Sequence, residues 1–188
     1  MYIIIEGIDT AGKSTQLDIL NKKYPNAIFT KEPGGTELGV DLRKMVLSGR
    51  AKSKVAEMLL FLADRAEHTE EIIKANKDKI VISDRGFVSG IAYAKDFPIE
   101  MTIELNKIAL DGEMPDKLIM LELSPEELQN RLSAKENDAI ELRGIEYLLE
   151  VQTRMKKVIT EIGIDALIID ASKDIDEIAK EIKEYLGV

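Results

Sequence analysis

The sequence predicts an α/β fold, in which helices cover both faces of a parallel sheet of about five strands. Short apolar segments of the β type recur along the 188 residues, and helical patterns lie between them. The apolar runs at 80–82 and 118–121 are continuous rather than alternating, as in strands that are covered on both faces. Alternation of such strands with helices is typical of a parallel sheet.

The predicted elements follow one another without a linker or a repeat. The predicted strands cover Tyr2–Ile5, Ala27–Thr30, Lys79–Ser83, Lys117–Leu123 and Asp165–Ile169. The predicted helices cover 13–24, 36–47, 53–76, 88–94, 99–110, 125–134, 145–163 and 174–186. We therefore expect a single domain over residues 1–188.

The first and last helices show the spacing of one apolar helix face most clearly. The residues on these faces are Leu17, Leu20 and Tyr24 in the first helix, and Ile175, Ile178, Ile182 and Leu186 in the last. The start of the helix after the fourth strand is also marked, by Ser124 at the N-cap position, Pro125 at the first helical position and acids directly after it.

Composition excludes several classes of protein. The chain has 26 Lys+Arg and 35 Asp+Glu, a net charge of −9, so we expect no nucleic-acid partner. No apolar run approaches the roughly 20 residues of a membrane-spanning helix, and no secretory pattern opens the chain. We expect no membrane partner and, by default, a cytoplasmic location. The absence of Cys and the single His exclude disulfides, thiol catalysis and Cys- or His-rich metal sites.

A phosphate-binding loop follows the first predicted strand. Residues 7–14 read Gly-Ile-Asp-Thr-Ala-Gly-Lys-Ser, which is the P-loop pattern G-x-x-x-x-G-K-S between a strand and a helix. Gly7 and Gly12 permit tight turns, and the N–H groups of the loop and of the helix N-terminus can surround phosphate oxygens. Lys13 can reach the β- and γ-phosphates, and Ser14 can ligate Mg²⁺.

Charged residues follow the other predicted strands. In open α/β sheets, ligands bind beyond the carboxyl ends of the strands, so these positions should carry the remaining chemistry. The segment 31–36, Lys-Glu-Pro-Gly-Gly-Thr, follows the second strand, and Asp84 and Arg85 follow the third. The helix between these two strands carries Phe61-Leu-Ala-Asp-Arg at 61–65.

These motifs resemble those of thymidylate kinases, P-loop enzymes that phosphorylate dTMP. The matching segments are 5–16, 31–36, 42–43, 60–68 and 84–93, in the order and spacing of the family. The P-loop is shared with many proteins, whereas Glu-Pro-Gly-Gly-Thr together with two Asp-Arg motifs is far more specific. The resemblance implies that ATP and dTMP give ADP and dTDP, for dTTP biosynthesis, with Mg²⁺ and in a homodimer.

For the donor side, the resemblance implies that ATP is bound by Gly7, Ile8, Asp9, Thr10, Ala11, Gly12, Lys13, Ser14 and Thr15. It implies that Mg²⁺ is held by Ser14 and by Asp84, the latter directly or through water. Asp84 could instead pair with Arg85 or Lys13. Asp9 would organise the phosphates and Mg²⁺ and contact the acceptor sugar, with capping of the loop as the alternative.

For catalysis, the resemblance implies that Asp9, Lys13 and Arg85 act with bases from a lid. Arg85 would lie between the donor and acceptor phosphates, where its positive charge offsets charge that develops during transfer. The lid is expected at about 131–144, and Arg131, Lys135 and Arg143 could cover the ATP phosphates when it closes and excludes water. Arg131 and Arg143 are favoured; a solvated charged helix is the alternative. The P-loop positions 8–11 contain no Arg, which is typical of family members that use a lid arginine.

For the acceptor side, the resemblance implies a dTMP pocket. Arg65 would grip the phosphate with its guanidinium fork, and otherwise it is a surface Arg paired with Asp64 or Glu67. Phe61 would stack on thymine, and otherwise it belongs to the core. The predicted dTMP-binding residues are Asp9, Glu32, Pro33, Arg43, Phe61, Arg65, Arg85, Ser89, Gly90 and Tyr93. For Arg43 the alternative is a solvated helix residue, and His68 is interpreted as structural.

The chain departs from the family pattern at three positions. Lys31 stands in place of the usual Arg, Gly86 in place of a common Tyr, and Ala94 in place of a Gln that hydrogen-bonds the base. The change at Ala94 leaves open a kinase for another nucleoside monophosphate. A regulatory P-loop NTPase is the other alternative, although the Asn-Lys-x-Asp motif of a GTPase switch is absent from the sequence.

Overall fold

The computed structural model of the chain describes residues 1–133 and 144–187. Within them lies a five-stranded sheet of order β2-β3-β1-β4-β5, in which every pair of neighbouring strands is parallel. The strands are β1 (Tyr2–Glu6), β2 (Ile28–Lys31), β3 (Val81–Asp84), β4 (Lys117–Glu122) and β5 (Ala166–Asp170). The prediction of a parallel sheet of about five strands is confirmed.

Eight α-helices connect and flank these strands in the described ranges. They are α1 (Lys13–Lys23), α2 (Glu37–Leu47), α3 (Lys54–His68), α4 (Phe87–Tyr93), α5 (Ile99–Leu110), α6 (Pro125–Ser133), α7 (Ile145–Ile162) and α8 (Ile175–Leu186). Helix α6 begins as predicted, because Ser124 Oγ accepts a hydrogen bond of 3.1 Å from the N–H of Glu127. None of the helices described is both long enough and apolar enough to cross a membrane.

The predicted helix at 53–76 is longer than the α-helix that the structure contains. Helix α3 ends at His68, and a π-helical turn at Thr69–Ile73 and a 3₁₀ turn at Lys74–Asn76 follow it. Thr69 and Ile73 are both buried, so the side-chain pattern continues through the turn. A π-helical turn is a local insertion within a helical run, and apolar periodicity does not distinguish it from the helix around it.

The core surrounds the central strands. Ile3, Ile4 and Ile5 of β1 are all fully buried, which requires cover on both faces of the sheet. Helices α1 and α8 pack against each other, whereas α4 packs against α5 and α7, and α3 packs against α5. All of these helices except α3 contribute residues, together with the strands, to one continuous apolar cluster.

The order of the strands determines at which edge of the sheet a ligand site is expected. The chain runs from β1 to β2 at the sheet edge, returns to β3 beside β1, and then crosses to β4 on the other side of β1. The order therefore reverses between β1 and β3, and ligands of such sheets bind beyond the carboxyl ends of the strands at this point. Ile5 lies opposite Asp84 in the register of these strands. Consequently the P-loop after β1 and Arg85 after β3 meet at the same edge.

Candidate active site

The P-loop wraps around the amine of Lys13. Gly7 has φ +147°, and a Cβ added there would lie 2.8 Å from the carbonyl oxygen of Leu121, so only glycine fits. The Nζ of Lys13 donates hydrogen bonds of 2.9 Å to the carbonyl oxygens of Gly7 and Ile8. Burial, together with the nearby charge of Arg85, lowers the pKa of Lys13 to about 7. The amine is held at the place where nucleotide phosphates bind in P-loops.

Glu6, at the end of β1, holds the start of helix α4. The side chain is fully buried, and its Oε1 accepts hydrogen bonds of 3.0 Å from the N–H groups of Gly86 and Ser89. Its Oε2 accepts a hydrogen bond from the hydroxyl of Ser89. A carboxylate in this position satisfies N–H groups that have no partner within the helix. Burial raises the pKa of Glu6. Sequence analysis missed this role; the one signal is an acid that ends an apolar strand.

Arg85 joins the P-loop to helix α4. Its Nη1 donates to the carbonyl oxygen of Gly7 at 2.9 Å and to Ser89 Oγ at 3.1 Å. Its Nη2 forms an ion pair with Asp9, and its guanidinium carbon lies 5.8 Å from the centre of the Tyr93 ring. Arg85 itself has φ +69°, a conformation that non-glycine residues rarely adopt. The guanidinium therefore lies between the P-loop and the predicted acceptor pocket.

Ser14 and Asp84 line one cavity, of about 470 Å³, between α1 and the ends of β2 and β3. Asp84 Oδ1 is buried and has no hydrogen-bond partner among the described residues. In the same part of the chain, no ion pair joins Asp84 to Arg85 or Lys13, which was the alternative interpretation. No three His, Cys, Asp or Glu residues of the described ranges gather as a metal-binding group. A hydroxyl and one carboxylate instead fit Mg²⁺, which keeps several waters and binds substrate phosphates.

One face of helix α3 lines the neighbouring pocket. Phe61, Asp64, Arg65 and His68 follow the i, i+3, i+4, i+7 spacing of a single helix face. Asp64 is 2% exposed, and its Oδ1 accepts a hydrogen bond of 2.8 Å from the N–H of Gly34. Burial raises the pKa of Asp64 to about 6. This contact holds the loop after β2 against α3.

Arg65 and Glu32 form a buried pair in this pocket. Glu32 Oε2 accepts a hydrogen bond of 2.8 Å from Nε of Arg65 and forms an ion pair with Nη2 at 2.8 Å, and Nη1 donates to the side-chain oxygen of Asn106. Burial alone would raise the pKa of Glu32, but the charge of Arg65 and the contact with His68 hold it below its usual value. Arg65 is only 2% exposed, so the alternative of a surface arginine paired with Asp64 or Glu67 is wrong.

The other residues predicted to bind the acceptor lie around this pair. Phe61 is half-buried and lies outside the main apolar cluster, which disfavours the core interpretation. Arg43 Nη1 donates to the carbonyl oxygen of Pro33 at 2.8 Å, and the Glu32–Pro33 peptide bond is cis. A Cβ on Gly90 would lie 2.9 Å from Nη1 of Arg65. The acceptor motifs of α3, α4 and the loop after β2 therefore meet in space.

Tyr93 closes this group on the side of α7. Its hydroxyl is buried without a hydrogen-bond partner in the described part of the chain, and burial raises its pKa.

Arg154 of α7 fixes the end of α4, because it donates to the carbonyl oxygens of Ala94 at 3.3 Å and Phe97 at 2.7 Å. Arg154 and Asn106 were not found by sequence analysis. No local motif marks either residue, since the contact of Asn106 with Arg65 and that of Arg154 with Phe97 join residues 41 and 57 positions apart.

Arg131, at the end of α6, reaches the P-loop. Its Nη1 donates to the carbonyl oxygen of Thr10 at 3.1 Å, its Nη2 to that of Ala171 at 2.6 Å, and its Nε to Glu127 at 2.6 Å. Arg131, the first basic residue of the predicted lid, thus contacts the P-loop. The other two, Lys135 and Arg143, lie outside the described residues, as does most of the lid at 131–144.

The site therefore has two adjoining halves. One is a P-loop with a lysine and an arginine, Lys13 and Arg131, and the other is a pocket that contains Arg65 and Arg43; Arg85 lies between them. This arrangement defines a P-loop phosphotransferase, in which a donor nucleotide and a phosphate-bearing acceptor bind side by side.

Comparison with known proteins identifies the family. The thymidylate kinase family model matches residues 5–182. A thymidylate kinase of Aliarcobacter butzleri is 62% identical over the full length of both chains, and one of Sulfurovum sp. is 53% identical over the full length of both. The crystal structure of an Ehrlichia chaffeensis thymidylate kinase superposes with a TM-score of 0.77 at 27% identity, covering 100% of this chain and 98% of that one. The chain belongs to the thymidylate kinase family.

The lowered pKa of Lys13 predicts that ATP binding takes up a proton. At pH 8 the amine is mostly neutral in the free protein, and phosphate charges raise its pKa on binding, so most of one proton should enter. At this pH ATP itself exchanges few protons. Titration calorimetry of ATP in two buffers of different ionisation enthalpy measures the uptake. The variant Lys13→Met should abolish it, and equal heats in both buffers for the wild-type protein would contradict the prediction.

Proposed function

We propose that this enzyme transfers the γ-phosphoryl group of ATP to dTMP, giving ADP and dTDP, with donor and acceptor bound in the two halves described above. The observation that carries the proposal is the position of Arg85. Its guanidinium contacts the P-loop at Gly7 and Asp9 and the acceptor helix at Ser89. A cation in this place offsets negative charge on the phosphoryl group in transit.

On the donor side, residues 7–15 bind ATP through the N–H groups of the P-loop and the N-terminus of α1. Lys13 exchanges its carbonyl partners for β- and γ-phosphate oxygens. Arg131 lies close enough to the loop to contact the nucleotide, since its Nη1 would be 3.7 Å from a Cβ on Gly12. We assign Arg143 to the lid as its second basic residue that contacts ATP. Residues 1–188 form one domain in this proposal.

Ser14 and Asp84 would hold Mg²⁺, with Asp84 acting directly or through water. The support is the partnerless buried oxygen of Asp84 and the exposed Ser14 on the same cavity. When bound, the ion would neutralise charge on the donor phosphates. Asp9 orders this region through Arg85.

On the acceptor side, we assign the dTMP phosphate to Arg65 and Arg43, and the base to the face of Phe61. Glu32 and Pro33 shape the floor of the pocket. Ser89, Gly90 and Tyr93 form the wall from α4. The absence of a Cβ at Gly90 leaves room beside the guanidinium of Arg65. Phosphoryl transfer requires mainly positioning and charge stabilisation, so no strong base is assigned.

We also propose that the enzyme is a cytoplasmic homodimer formed through α2, α3 and α5. Helix α2 packs against α3, and α3 packs against α5. Large apolar side chains on these helices are exposed: Leu38, Val40, Met45, Leu47, Val55, Leu59, Met101 and Ile108. Exposed apolar patches of this kind mark protein–protein interfaces.

A panel of acceptors tests the reaction. With Mg·ATP and dTMP, dUMP, UMP, CMP, AMP or GMP, coupled measurement of ADP release should show the highest kcat/KM for dTMP. The methyl group that separates dTMP from dUMP is worth about 1–3 kcal/mol, or roughly 10- to 200-fold. Higher turnover of another monophosphate would support the alternative kinase that Ala94 leaves open. ADP release without any acceptor would indicate an ATPase or a regulatory NTPase.

Replacement of the bridging arginine tests the catalytic assignment. Arg85→Lys keeps a positive charge but cannot contact both the P-loop and α4, so kcat should fall by about 10²- to 10³-fold. Arg50→Lys, at an exposed position, is the matched control and should keep wild-type kcat. An Arg85→Lys enzyme with kcat within a factor of about two of wild type would argue against the role of Arg85 in charge stabilisation.

Light scattering tests the dimer. The wild-type protein should have twice the 21.0 kDa mass of the chain, and the double variant Leu59→Glu/Ile108→Glu should have the mass of one chain, because charges in an apolar interface are costly. Ile175→Glu, on an exposed apolar residue of α8, serves as the control and should remain dimeric. A monomeric wild-type protein rules out the proposed interface.

A further inference from the structure

A chain of contacts runs from β2 to the arginine assigned to the acceptor phosphate. Thr30 Oγ1 lies 2.8 Å from His68 Nε2, and His68 Nδ1 lies 2.9 Å from Glu32 Oε1. Glu32 Oε2 in turn accepts a hydrogen bond of 2.8 Å from Arg65 Nε and lies 2.8 Å from Nη2. The three ionisable side chains are at most 4% exposed. The contacts of Glu32 with His68 and with Arg65 are therefore shielded from water.

The chain of contacts determines the direction of the guanidinium. Arg65 Nε donates to Glu32 and Nη1 donates to Asn106, and Nη2 lies 2.8 Å from the same oxygen of Glu32. A guanidinium has five N–H groups, so one N–H on each terminal nitrogen is left for a ligand. Both nitrogens face Gly90, where a Cβ would lie 2.9 and 3.0 Å away. This pair of N–H groups matches the bidentate grip of guanidinium on phosphate.

His68 is the group that fixes Glu32 from the other side. Apart from its 2.9 Å contact with His68 Nδ1, Glu32 Oε1 is a buried carboxylate oxygen with no hydrogen-bond partner in the described residues, and without that contact its burial would be costly. The imidazole is held in turn by Thr30 and by Gly35. A Cβ on Gly35 would lie 2.6 Å from both His68 Cδ2 and Thr30 Oγ1, so the ring fits only because Gly35 has no side chain.

We propose that His68 is a positioning residue for the acceptor phosphate: it orients Glu32, and Glu32 orients Arg65. The inference rests on the proposed role of Arg65 in binding the dTMP phosphate. It assigns a function to a side chain that periodicity alone places in the buried face of α3. The inference also predicts a specific effect. A residue that acts through Arg65 should change the binding of the acceptor phosphate but not the binding of the nucleoside part.

The test compares the affinities for dTMP and for thymidine, which lacks the phosphate, by titration calorimetry. In His68→Leu we expect dTMP binding to weaken about tenfold, as for the loss of one well-directed charge-assisted hydrogen bond. Thymidine and ATP should bind as to the wild type. His68→Asn, whose amide can donate to Glu32 from near the Nδ1 position, should restore part of the dTMP affinity. Thr69→Val is the matched control. Thr69 follows His68 directly and is also buried, and its hydroxyl has no hydrogen-bond partner in the described residues. The affinity of this variant for dTMP should equal that of the wild type.

The outcomes separate this inference from the proposed function. If Arg65→Gln leaves the ratio of dTMP to thymidine affinity unchanged, the assignment of Arg65 is wrong. If Arg65→Gln lowers that ratio and His68→Leu does not, the inference about His68 is overturned. Parallel losses for dTMP and thymidine in His68→Leu would show a merely structural role and would overturn it too. If His68→Leu does not fold, His68→Asn and Thr30→Val provide the test through the same ratio of dTMP to thymidine affinity. Thr30→Val removes the outer end of the contact chain, so it should lower this ratio.

Discussion

Positive charge must be held at the carboxyl edge of the sheet before any phosphate binds, although like charges repel and the chain carries a net charge of −9. Main-chain carbonyl oxygens do much of this. They accept hydrogen bonds from Lys13, Arg85 and Arg131. A carbonyl directs a cation without cancelling its charge, and two of these cations are also paired with carboxylates, Arg85 with Asp9 and Arg131 with Glu127. The arrangement of both halves of the site depends on this placement.

The acceptor half also uses a carboxylate to hold its arginine. Arg65 is paired with the carboxylate of Glu32, and a buried ion pair contributes little net stability but restricts geometry strongly. Glu6 acts similarly on the backbone, because its carboxylate fixes the first turn of α4 and thereby Ser89. Backbone carbonyl oxygens and carboxylates therefore both position the cations of the site. A transfer reaction between two phosphates needs such positioning.

Patterns that are local in sequence predicted most of the fold and part of the site. Continuous apolar strands indicated the parallel sheet, and the spacing of Gly7, Lys13 and Ser14 indicated the phosphate loop before any coordinates. The unpredicted features depend on distant partners. Glu6 contacts N–H groups 80 and 83 residues later, and Asn106 meets Arg65 across 41 residues. Such pairs leave no periodic signal, because each is created only when the strands and helices have packed.

The amine of Lys13 should also be more nucleophilic than an ordinary lysine. A lysine with pKa about 7 is largely unprotonated in mildly alkaline solution, whereas an ordinary surface lysine, with pKa near 10.4, is almost entirely protonated and unreactive. Electrophiles small enough to enter the P-loop should acylate this amine ahead of the other lysines, and bound nucleotide should protect it. The feature that prepares the loop for phosphate thus also offers an attachment point for covalent inhibitors directed to the nucleotide site.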